Sequence, residues 1–588
     1  MKISDLLVKK IEDFGIEVVF GIIGAGNAAI FESLSYSRKI KIYCLHHEQS
    51  LLMAMQNYYK LNNKIAVGLV TTGGGTTNSF TGLISAWMDG IPGLVISGNE
   101  SSIFSKETNK LRVWGVQGFD SKNTFKNFTN SFERITKVNQ ANTKIEKSLS
   151  SFKNKRFGFN WLEIPIDIQS KNLEIKYKKP NINIDYFLKP KFEYKIDKKY
   201  LNKFISLFKK SKKPLLIIGN GCRQSNSYNQ LINIINSLRI PFLLTWTTID
   251  FISSNHPLYF GKSGIYGERR SNFIVEECDL LISLGSRLSP LQIGHNIKNF
   301  ATKSKIVMVD IDVIELNKFK DERDIIPIFS DVKNFLDILK KKKIEVSISN
   351  DWLLECQKLS KKYPLKEAQH ISKNNTINSY DFINKLNKYT KINDIVCTDM
   401  GTALLTSYYN LKIKKNMRLL TSLALGEMGF GLPGAIGAAV SEPKKRIICL
   451  NCDGGMMFNL QELEAIKYHN LNIKIIVFSN DGYLMIKNTQ KNLFNSRFIG
   501  INKKSGVSCP DFSKISKAFG ISSSNIRKTG DIEKKLEKFF NTKGPALIEI
   551  HMDKNQEFTP KLSSFKNKKG EFISPRFNQM SPILEENL

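Results

Sequence analysis

The stretch that decides the fold runs from Asn451-Cys452-Asp453-Gly454-Gly455 to Asn480-Asp481-Gly482-Tyr483. An apolar run precedes each of these two motifs, and a helical pattern lies between them. Strand, turn, helix and strand in this order form a βαβ unit, which places the carboxyl ends of both strands at one edge of a parallel sheet. The pattern therefore predicts that Asp453 and Asn480 lie close together at that edge.

Oxygen ligands and glycines dominate this predicted edge. The Asp453 carboxylate, the Asn480 amide oxygen and nearby backbone carbonyls suit a hard cation such as Mg²⁺, which shares its coordination shell with phosphates. Gly454 and Gly455 allow backbone N–H groups to approach a diphosphate, and the N-terminus of the following helix adds positive potential. We therefore predict an anchor for a metal ion and a diphosphate.

The composition is that of a large folded protein. The length of 588 residues predicts about three or four domains. The 41% content of hydrophobic residues is enough to form large cores. The formal net charge of +33 comes mostly from lysines that are spread along the chain. Because these lysines form no nucleic-acid-binding motif and no stripe interleaved with aromatic residues, the charge indicates a solvated basic surface rather than a nucleic-acid-binding protein.

Two further features indicate a cytoplasmic protein without a membrane span. The apolar runs fall short of the ~18–20 residues that a transmembrane helix needs, and the N-terminal segment lacks the apolar core of a signal peptide. The eight cysteines have no paired spacing, and Cys44, Cys397 and Cys449 lie within apolar runs. We expect buried free thiols, which are typical of a reducing compartment.

Apolar runs alternate with glycine turns and helical segments in the first part of the chain, which is typical of an α/β domain. The cluster Gly21–Gly26 lacks the full Gly-x-Gly-x-x-Gly spacing, so a tight strand-to-helix turn and a ligand-contacting turn both fit it. Glu48 follows an apolar strand and begins a helical segment. Its position fits either a ligand site at a strand end or a carboxylate that stabilises the helix N-terminus.

Two more α/β patterns follow the first. In the second, apolar runs end in glycine or aspartate, which is typical of a Rossmann-like domain, and Asp310 or Asp312 is placed for a ribose or for a helix cap. The third contains the metal–diphosphate stretch, and a polar tail that we expect to fold over this domain follows it. The predicted fold class is α/β with three doubly wound parallel-sheet domains, and the predicted segments are 1–175, 195–340, 370–555 and the tail 556–588.

Taken together, the motifs resemble those of the thiamine-diphosphate-dependent 2-keto acid enzymes, specifically the acetolactate synthase (acetohydroxyacid synthase) large-subunit group. The resemblance covers nearly the whole chain. It implies a pyrimidine-binding N-terminal domain, a Rossmann-like middle domain and a C-terminal domain that binds diphosphate and Mg²⁺. The motifs that carry it are His47-Glu48-Gln49, Thr72–Asn78, Asp89–Pro92, Leu423–Pro433 and the opening stretch 451–483.

The resemblance implies a role for each residue of the third-domain site. Asp453, Asn480 and the carbonyl of Gly482 hold Mg²⁺ against the diphosphate. Met428 lies beneath the cofactor and forces the bent conformation that brings its aminopyrimidine against the thiazolium C2 atom. The implied cofactor-binding residues are Gly401, Thr402, Gly426, Met428, Asp453, Gly454, Gly455, Asn480 and Tyr483.

Two residues of the first domain complete the implied catalytic site. Glu48, reaching from a partner subunit, hydrogen-bonds the aminopyrimidine and promotes the imino tautomer that removes the C2 proton. Gln117 lies where the family places a polar residue beside the substrate. Because Glu48 and the Asp453 anchor come from different chains in this arrangement, the resemblance implies a homodimer or a homotetramer.

The chain departs from the family pattern at several positions. Cys452 replaces the first glycine of the family's Gly-Asp-Gly motif, and Gly74 stands where a proline is common. Four residues after Arg287, acetolactate enzymes carry an arginine that binds the carboxylate of the acceptor keto acid, and this chain has Leu291. Thr489 replaces the family's tryptophan that favours 2-ketobutyrate as the acceptor.

The departures leave the acceptor open. We predict an acetolactate-synthase-like enzyme that decarboxylates pyruvate, a 2-keto acid, and transfers the two-carbon unit to a carbonyl acceptor. Lys487 is placed to serve an anionic group, and the segment Gly264–Asn272 resembles a subgroup in surface-polysaccharide pathways. A nucleotide-linked keto sugar is therefore the alternative acceptor, and a catalytically silent binding or regulatory homologue is a second alternative. Arg287 and Asp310 permit the binding of FAD, which is a legacy ligand of the middle domain. A structural middle domain without a ligand is an equally good interpretation.

Overall fold

The computed structural model of the protein describes residues 1–105, 110–152, 156–179, 184, 188, 196–342, 348–373, 375–566 and 572–584. Three separate parallel sheets, of six, five and six strands, follow one another along the chain, and helices connect their strands. This architecture confirms the predicted fold class. Within the described ranges, none of the helices has the combination of length and apolar character that a bilayer span demands.

The first sheet has the strand order β2-β1-β3-β4-β6-β5, and all its neighbouring strands are parallel. The strands are β1 (Val18–Gly21), β2 (Lys41–Cys44), β3 (Val67–Val70), β4 (Gly93–Asn99), β5 (Ser131–Arg134) and β6 (Phe159–Pro165). The α-helices are Ile3–Asp13, Ala28–Ser35, Glu48–Asn62, Gly74–Asn78, Phe80–Asp89, Ser121–Phe125, Ala141–Ser150 and Ile166–Gln169.

The middle sheet has the order β11-β10-β9-β7-β8 and is also parallel. Its strands are β7 (Pro214–Ile218), β8 (Phe242–Leu244), β9 (Leu280–Leu284), β10 (Lys305–Asp310) and β11 (Ile325–Phe329). The α-helices are Lys198–Lys210, Gly221–Gln224, Tyr228–Leu238, Arg269–Glu277, Pro290–Ile293, Val313–Asn317, Val332–Lys341 and Asn350–Lys362. From β7 the sheet grows to one side with β8 and to the other side with β9, β10 and β11, so the strand order reverses between β7 and β9. This strand order is typical of a Rossmann-like domain.

The third sheet has the order β13-β12-β14-β15-β17-β16 and is parallel throughout. Its strands are β12 (Ile395–Thr398), β13 (Arg418–Leu420), β14 (Ile447–Cys452), β15 (Ile473–Ser479), β16 (Ser522–Ile526) and β17 (Ala546–His551). The α-helices are Ser379–Leu386, Thr402–Asn410, Gly431–Ser441, Asp453–Met456, Glu462–Tyr468, Leu484–Leu493, Phe512–Ala518 and Ile532–Asn541. Every residue of β14 is buried, as expected for a strand covered on both faces.

The first and third domains share one continuous apolar core. The helix Glu48–Asn62 packs against the helix Gly431–Ser441, which consists mostly of small buried residues. A Cβ on Gly437 would lie 1.9 Å from the carbonyl oxygen of Ala54, so only glycine permits this close approach of the two backbones. The packing holds the helix that begins at Glu48 rigidly against the third domain.

The tail was expected to fold over the third domain, but three of its described apolar residues pack in the core of the middle domain. Phe558 still packs in the third-domain core, but Leu562, Phe577 and Met580 are buried in the core of the middle domain. The buried Asn272 amide donates a hydrogen bond to the Phe577 carbonyl (3.0 Å). These apolar residues are widely spaced in a mostly polar segment, so the sequence pattern does not indicate that they pack against the middle domain.

The cysteines agree with the expectation of buried free thiols at six positions, and Cys509 is only partly buried. All eight are free, and Cys397 and Cys449 are buried in the third sheet. Cys44, by contrast, is exposed. It ends β2, which forms the edge of the first sheet, so one side of this apolar strand is left without a neighbouring strand.

Candidate functional site

Asp453 begins the helix Asp453–Met456 at the carboxyl end of β14, and its side chain is fully buried. One carboxylate oxygen accepts hydrogen bonds from the backbone N–H groups of Asn480 (2.8 Å) and Gly482 (3.0 Å). The other accepts a bond from the Gly454 N–H group (2.8 Å). The ends of β14 and β15 therefore meet at one sheet edge, as the βαβ pattern predicts.

The Asn480 side chain leaves a buried oxygen free at this edge. Its amide nitrogen donates to the Thr402 hydroxyl (2.9 Å), whereas Oδ1 is buried and has no hydrogen-bond partner among the described residues. Asp481 and Gly482 follow with φ angles of 71° and 108°, so the chain turns sharply around the site. A buried acceptor without a donor, next to a buried carboxylate, is an oxygen set that fits a hard cation.

The electrostatics of Asp453 agree with this fit. Burial raises the pKa of Asp453 to about 6, and the backbone N–H groups of Gly482, Asn480, Gly454 and Asp481 oppose the shift. A cation placed against the carboxylate would favour its ionised form and lower its pKa. The site therefore has a carboxylate whose charge is only partly compensated by the protein.

Close packing beside Asp453 requires glycine at two positions. A Cβ on Gly454 would lie 2.4 Å from the Tyr483 ring, and a Cβ on Gly455 would lie 1.8 Å from a carboxylate oxygen of Asp399. Gly401 has a φ of 109° and precedes the helix Thr402–Asn410. The N-terminus of this helix, with a glycine immediately before it, suits a phosphate group.

Cys452 occupies the position of the family's first motif glycine. Its Sγ atom is buried and accepts a hydrogen bond from the backbone N–H group of Ala403 (3.3 Å). The thiol thus lies beneath the N-terminus of the helix Thr402–Asn410. The substitution leaves the hydrogen bonds of Asp453 intact.

Met428 and Gly426 lie on a loop that faces the same glycines. A Cβ on Gly454 would lie 3.3 Å from the Met428 methyl carbon, so this side chain packs against Gly454. Gly426 has a φ of 70°, a conformation that favours glycine. The loop therefore brings Met428 to the sheet edge that carries Asp453.

Asp399 is a site residue that the sequence reasoning missed. It follows β12 and is fully buried, and its carboxylate accepts backbone N–H bonds from Met400 (2.9 Å), Gly429 (3.1 Å) and Phe430 (3.2 Å). Burial raises its pKa to about 7, and the same N–H donors oppose the shift. The signal was present in the sequence, because an aspartate directly after a buried strand is also the position of Asp453.

Glu48 is the first residue of its helix, and its side chain is 9% exposed. The Asn78 amide donates a hydrogen bond to Oε2 (3.1 Å), and a Cβ on Gly75 would lie 3.2 Å from Oε1. The Thr72–Asn78 motif thus holds the Glu48 carboxylate from one side. The role of Asn78 was not predicted, although it lies in a motif that was.

Gln117 lies on the other side of the same glycine turn. Its backbone N–H group donates to a Glu100 carboxylate oxygen (3.2 Å), and its side chain is exposed. A Cβ on Gly73 would lie 2.6 Å from the Gln117 carbonyl oxygen. The fold therefore gathers Glu48 and Gln117, which are distant in sequence, around one turn of the first domain.

The first and third domains of one chain touch near the start of the Glu48 helix. The Gln49 amide donates to the Asn459 side-chain oxygen (2.9 Å), and the Asn459 amide donates to the Gly429 carbonyl (2.7 Å). The His46 N–H group donates to the buried Glu462 carboxylate (3.1 Å), whose pKa burial raises to about 7. These contacts fix the first-domain edge relative to the Met428 loop.

Two of the residues at which the chain departs from the family, Leu291 and Thr489, are exposed. Leu291 is 37% exposed on the helix Pro290–Ile293 of the middle domain. Thr489 is exposed on the helix Leu484–Leu493. The Lys487 ammonium group donates to the Lys554 carbonyl (2.9 Å) and to the Asn555 side chain (2.8 Å). The lysine that was predicted to bind an anionic group is therefore hydrogen-bonded to groups of the protein itself.

The middle-domain aspartates have structural contacts. Asp312 caps the helix Val313–Asn317, because its carboxylate accepts the Ile314 N–H bond (2.9 Å). Asp310 is buried, and burial raises its pKa. Asp312 was predicted to contact a ribose or to cap a helix, and the structure shows the helix cap.

Comparisons with known proteins identify the family to which the chain is similar. Three family models of the thiamine pyrophosphate (thiamine diphosphate) enzymes match the chain in order: the N-terminal TPP binding domain at residues 1–127, the central domain at 201–339 and the C-terminal TPP binding domain at 399–550. Together they cover most of the chain, including Glu48 in the first match and Asp453 in the last.

The chain is also similar over its full length to curated acetolactate synthases. The acetolactate synthase large subunit of Cyanidium caldarium is 29% identical, with 96% of this chain and 94% of the relative covered. Isozyme 1 of Escherichia coli is 27% identical, with 95% of each covered, and the large subunit of Lactococcus lactis is 26% identical, with 95% and 94% covered. The chain belongs to the thiamine pyrophosphate enzyme family.

Proposed function

We propose that the protein is an acetolactate-synthase-like carboligase, which decarboxylates pyruvate and transfers the two-carbon unit to a carbonyl acceptor. The observation that carries the proposal is the third-domain edge, where the buried Asp453 carboxylate and an Asn480 oxygen that no described residue donates to lie beside the N-terminus of the helix Thr402–Asn410. Full-length similarity to acetolactate synthase large subunits supports the reaction type.

Mg²⁺ belongs to this proposal. Asp453, Asn480 Oδ1 and the Gly482 carbonyl would supply its protein ligands, and Gly401 and Thr402 would donate hydrogen bonds to the diphosphate. When bound, thiamine diphosphate supplies the electron sink that 2-keto acid decarboxylation requires. The residues of this chain would bind it at the diphosphate end and support its bent form with the Met428 side chain.

Glu48 would act at the other end of the cofactor. Its carboxylate would hydrogen-bond the aminopyrimidine ring, and the Asn78 bond to Oε2 would orient it so that Oε1 faces the ring. We propose a homodimer or a homotetramer in which Glu48 of one chain serves the Asp453 site of another. Sedimentation analysis of the cofactor-loaded protein tests this arrangement, and an active monomer would contradict it.

The acceptor is tested by incubating the enzyme with pyruvate, Mg²⁺ and thiamine diphosphate. Rapid formation of acetolactate from pyruvate alone is the expected result. Release of CO₂ that requires an added nucleotide-linked keto sugar would instead support the alternative acceptor, for which the exposed aliphatic Leu291 is the motivating observation. Binding of the cofactor without turnover of pyruvate would favour a silent homologue.

Two finer points complete the proposal. The cysteines, all free, support a cytoplasmic location. FAD stays a prediction for the middle domain, where Arg287 and Asp310 follow or end β9 and β10 at the sheet edge that binds ligands in such folds. The visible absorption spectrum of the purified protein tests flavin binding directly.

A further inference from the structure

Asp399 contacts several of the segments proposed to bind the cofactor, and it has no assigned role. It follows β12, and its carboxylate is fully buried. Oδ1 accepts hydrogen bonds from the N–H groups of Met400 (2.9 Å) and Phe430 (3.2 Å), and Oδ2 accepts one from Gly429 (3.1 Å). All three donors are backbone groups in loops, outside the helices and strands.

These three donors belong to two segments that the cofactor would contact. Met400 precedes Gly401, which begins the helix N-terminus assigned to the diphosphate. Gly429 and Phe430 follow Met428, the residue assigned to the bent form of the cofactor. One side chain therefore ties the diphosphate loop to the Met428 loop.

A third segment touches the same carboxylate. A Cβ on Gly455 would lie 1.8 Å from Asp399 Oδ2, so the glycine after Asp453 and Gly454 packs directly against it. This contact accounts for glycine at position 455, since any side chain there would displace the carboxylate. The segments that carry Gly401, Met428 and Asp453 thus converge on one buried group.

We propose that Asp399 is a positioning residue that holds these three segments in their cofactor-binding arrangement before the cofactor arrives. An acceptor with two oxygens is needed, because the three N–H groups approach both of them. A loop held in place in advance loses less conformational freedom on binding, so the affinity for the cofactor is higher. The proposal concerns cofactor binding, and it stands whichever acceptor the enzyme uses.

The test is the binding of thiamine diphosphate to Asp399→Asn. The amide retains one acceptor and turns an N–H₂ group toward backbone N–H donors, so at least one charge-assisted hydrogen bond is lost. We expect the dissociation constant for thiamine diphosphate, measured by calorimetry with saturating Mg²⁺ at pH 8, to rise about tenfold to hundredfold.

Hydrogen exchange provides a readout that needs no cofactor. In the apo-protein, the peptide spanning residues 424–430 should exchange its amide hydrogens faster in Asp399→Asn than in the wild type, because Gly429 and Phe430 lose their acceptor. Exchange within the helix Gly431–Ser441 should stay unchanged. Faster exchange of both regions would mark general unfolding and would contradict a positioning role.

Asp394→Asn is the matched control. Asp394 is also buried and lies just before the other end of β12, where its carboxylate pairs with Arg446 (2.6 Å). Its loss should lower the melting temperature without changing the dissociation constant for the cofactor. Equal weakening of cofactor binding in both variants would assign the effect to stability alone and overturn the proposal.

The wild type decides the matter if Asp399→Asn does not fold. Its Gly429 and Phe430 amides should be as protected in the apo-protein as those of the helix Gly431–Ser441. Unprotected exchange of these two amides, or an unchanged dissociation constant in a folded Asp399→Asn protein, would overturn the proposal.

Discussion

Replacement of Asn480 by alanine separates metal binding from stability. In the wild type, Asn480 Nδ2 donates one hydrogen bond to Thr402, and Oδ1 is buried without a partner. The variant loses a bond worth about 1 kcal/mol and also removes an unsatisfied buried acceptor that costs about 1–3 kcal/mol. The apo-protein should therefore be nearly as stable as the wild type or slightly more stable.

The effect of Mg²⁺ should differ strongly between the two proteins. With thiamine diphosphate present and Mg²⁺ at about one hundred times its Kd, the wild type gains about 2.7 kcal/mol. For a unit of the size of the third domain, this corresponds to about 5–11 °C in Tm. If the loss of the ligand raises the Kd about tenfold, the gain at the same concentration falls to about 1.4 kcal/mol, and the Tm shift is halved.

Differential scanning fluorimetry with and without Mg²⁺ measures both quantities, and Asn410→Ala is the matched control. Asn410 is equally buried, donates one hydrogen bond to the Tyr380 carbonyl (2.8 Å) and also has an unpartnered Oδ1. Its replacement should change the apo-protein similarly and leave the Mg²⁺-dependent Tm shift intact. A full Mg²⁺-dependent shift in Asn480→Ala would refute the assignment of Oδ1 as a metal ligand.

Three further predictions concern other parts of the molecule. Glu48→Gln should lower turnover of pyruvate by orders of magnitude while the calorimetric Kd for the cofactor stays within about twofold, because the carboxylate acts on the ring and not on the diphosphate; unchanged turnover would contradict this role. Gly437→Val should lower the free energy of unfolding by more than about 1–3 kcal/mol, since its Cβ would lie 1.9 Å from the Ala54 oxygen, whereas Gly530→Ala, with open space around it, should have little effect in denaturant titrations. Burial lowers the pKa of His370, so the folded protein binds fewer protons than the unfolded one, and stability should fall as the pH drops below about 6.5; His370→Gln should weaken this dependence in Tm measurements between pH 5 and 8, and an identical dependence would exclude His370 as its source.

The sequence alone predicted the parts of the site that local chemistry determines. Asp453 and Asn480 each follow an apolar run, and parallel strands joined by a helix bring such positions to the same sheet edge. Glu48 was placed correctly at the start of a helix for the same reason. The fold class followed from three repeats of this pattern.

Contacts between distant segments were beyond the sequence. Asp399 accepts bonds from Gly429 and Phe430, and Asn78 donates one to Glu48; these partners lie about 30 residues away, so the neighbouring sequence does not reveal them. The tail was assigned to the wrong domain because a few widely spaced apolar residues have no periodicity that identifies their partner. Cys44 was expected to be buried because an apolar run does not show whether its strand lies inside a sheet or at an edge.

By itself, the sequence determined the strands, the turns and the chemical types of the ligands, because hydrophobic periodicity and glycine conformation act over a few residues. Only the tertiary structure decided which of the polar groups remain unsatisfied. Asn480 Oδ1 is a candidate metal ligand because it is buried away from water and no described residue donates a hydrogen bond to it. Asp399 connects separate loops because the fold brings three loop N–H groups to its one buried carboxylate.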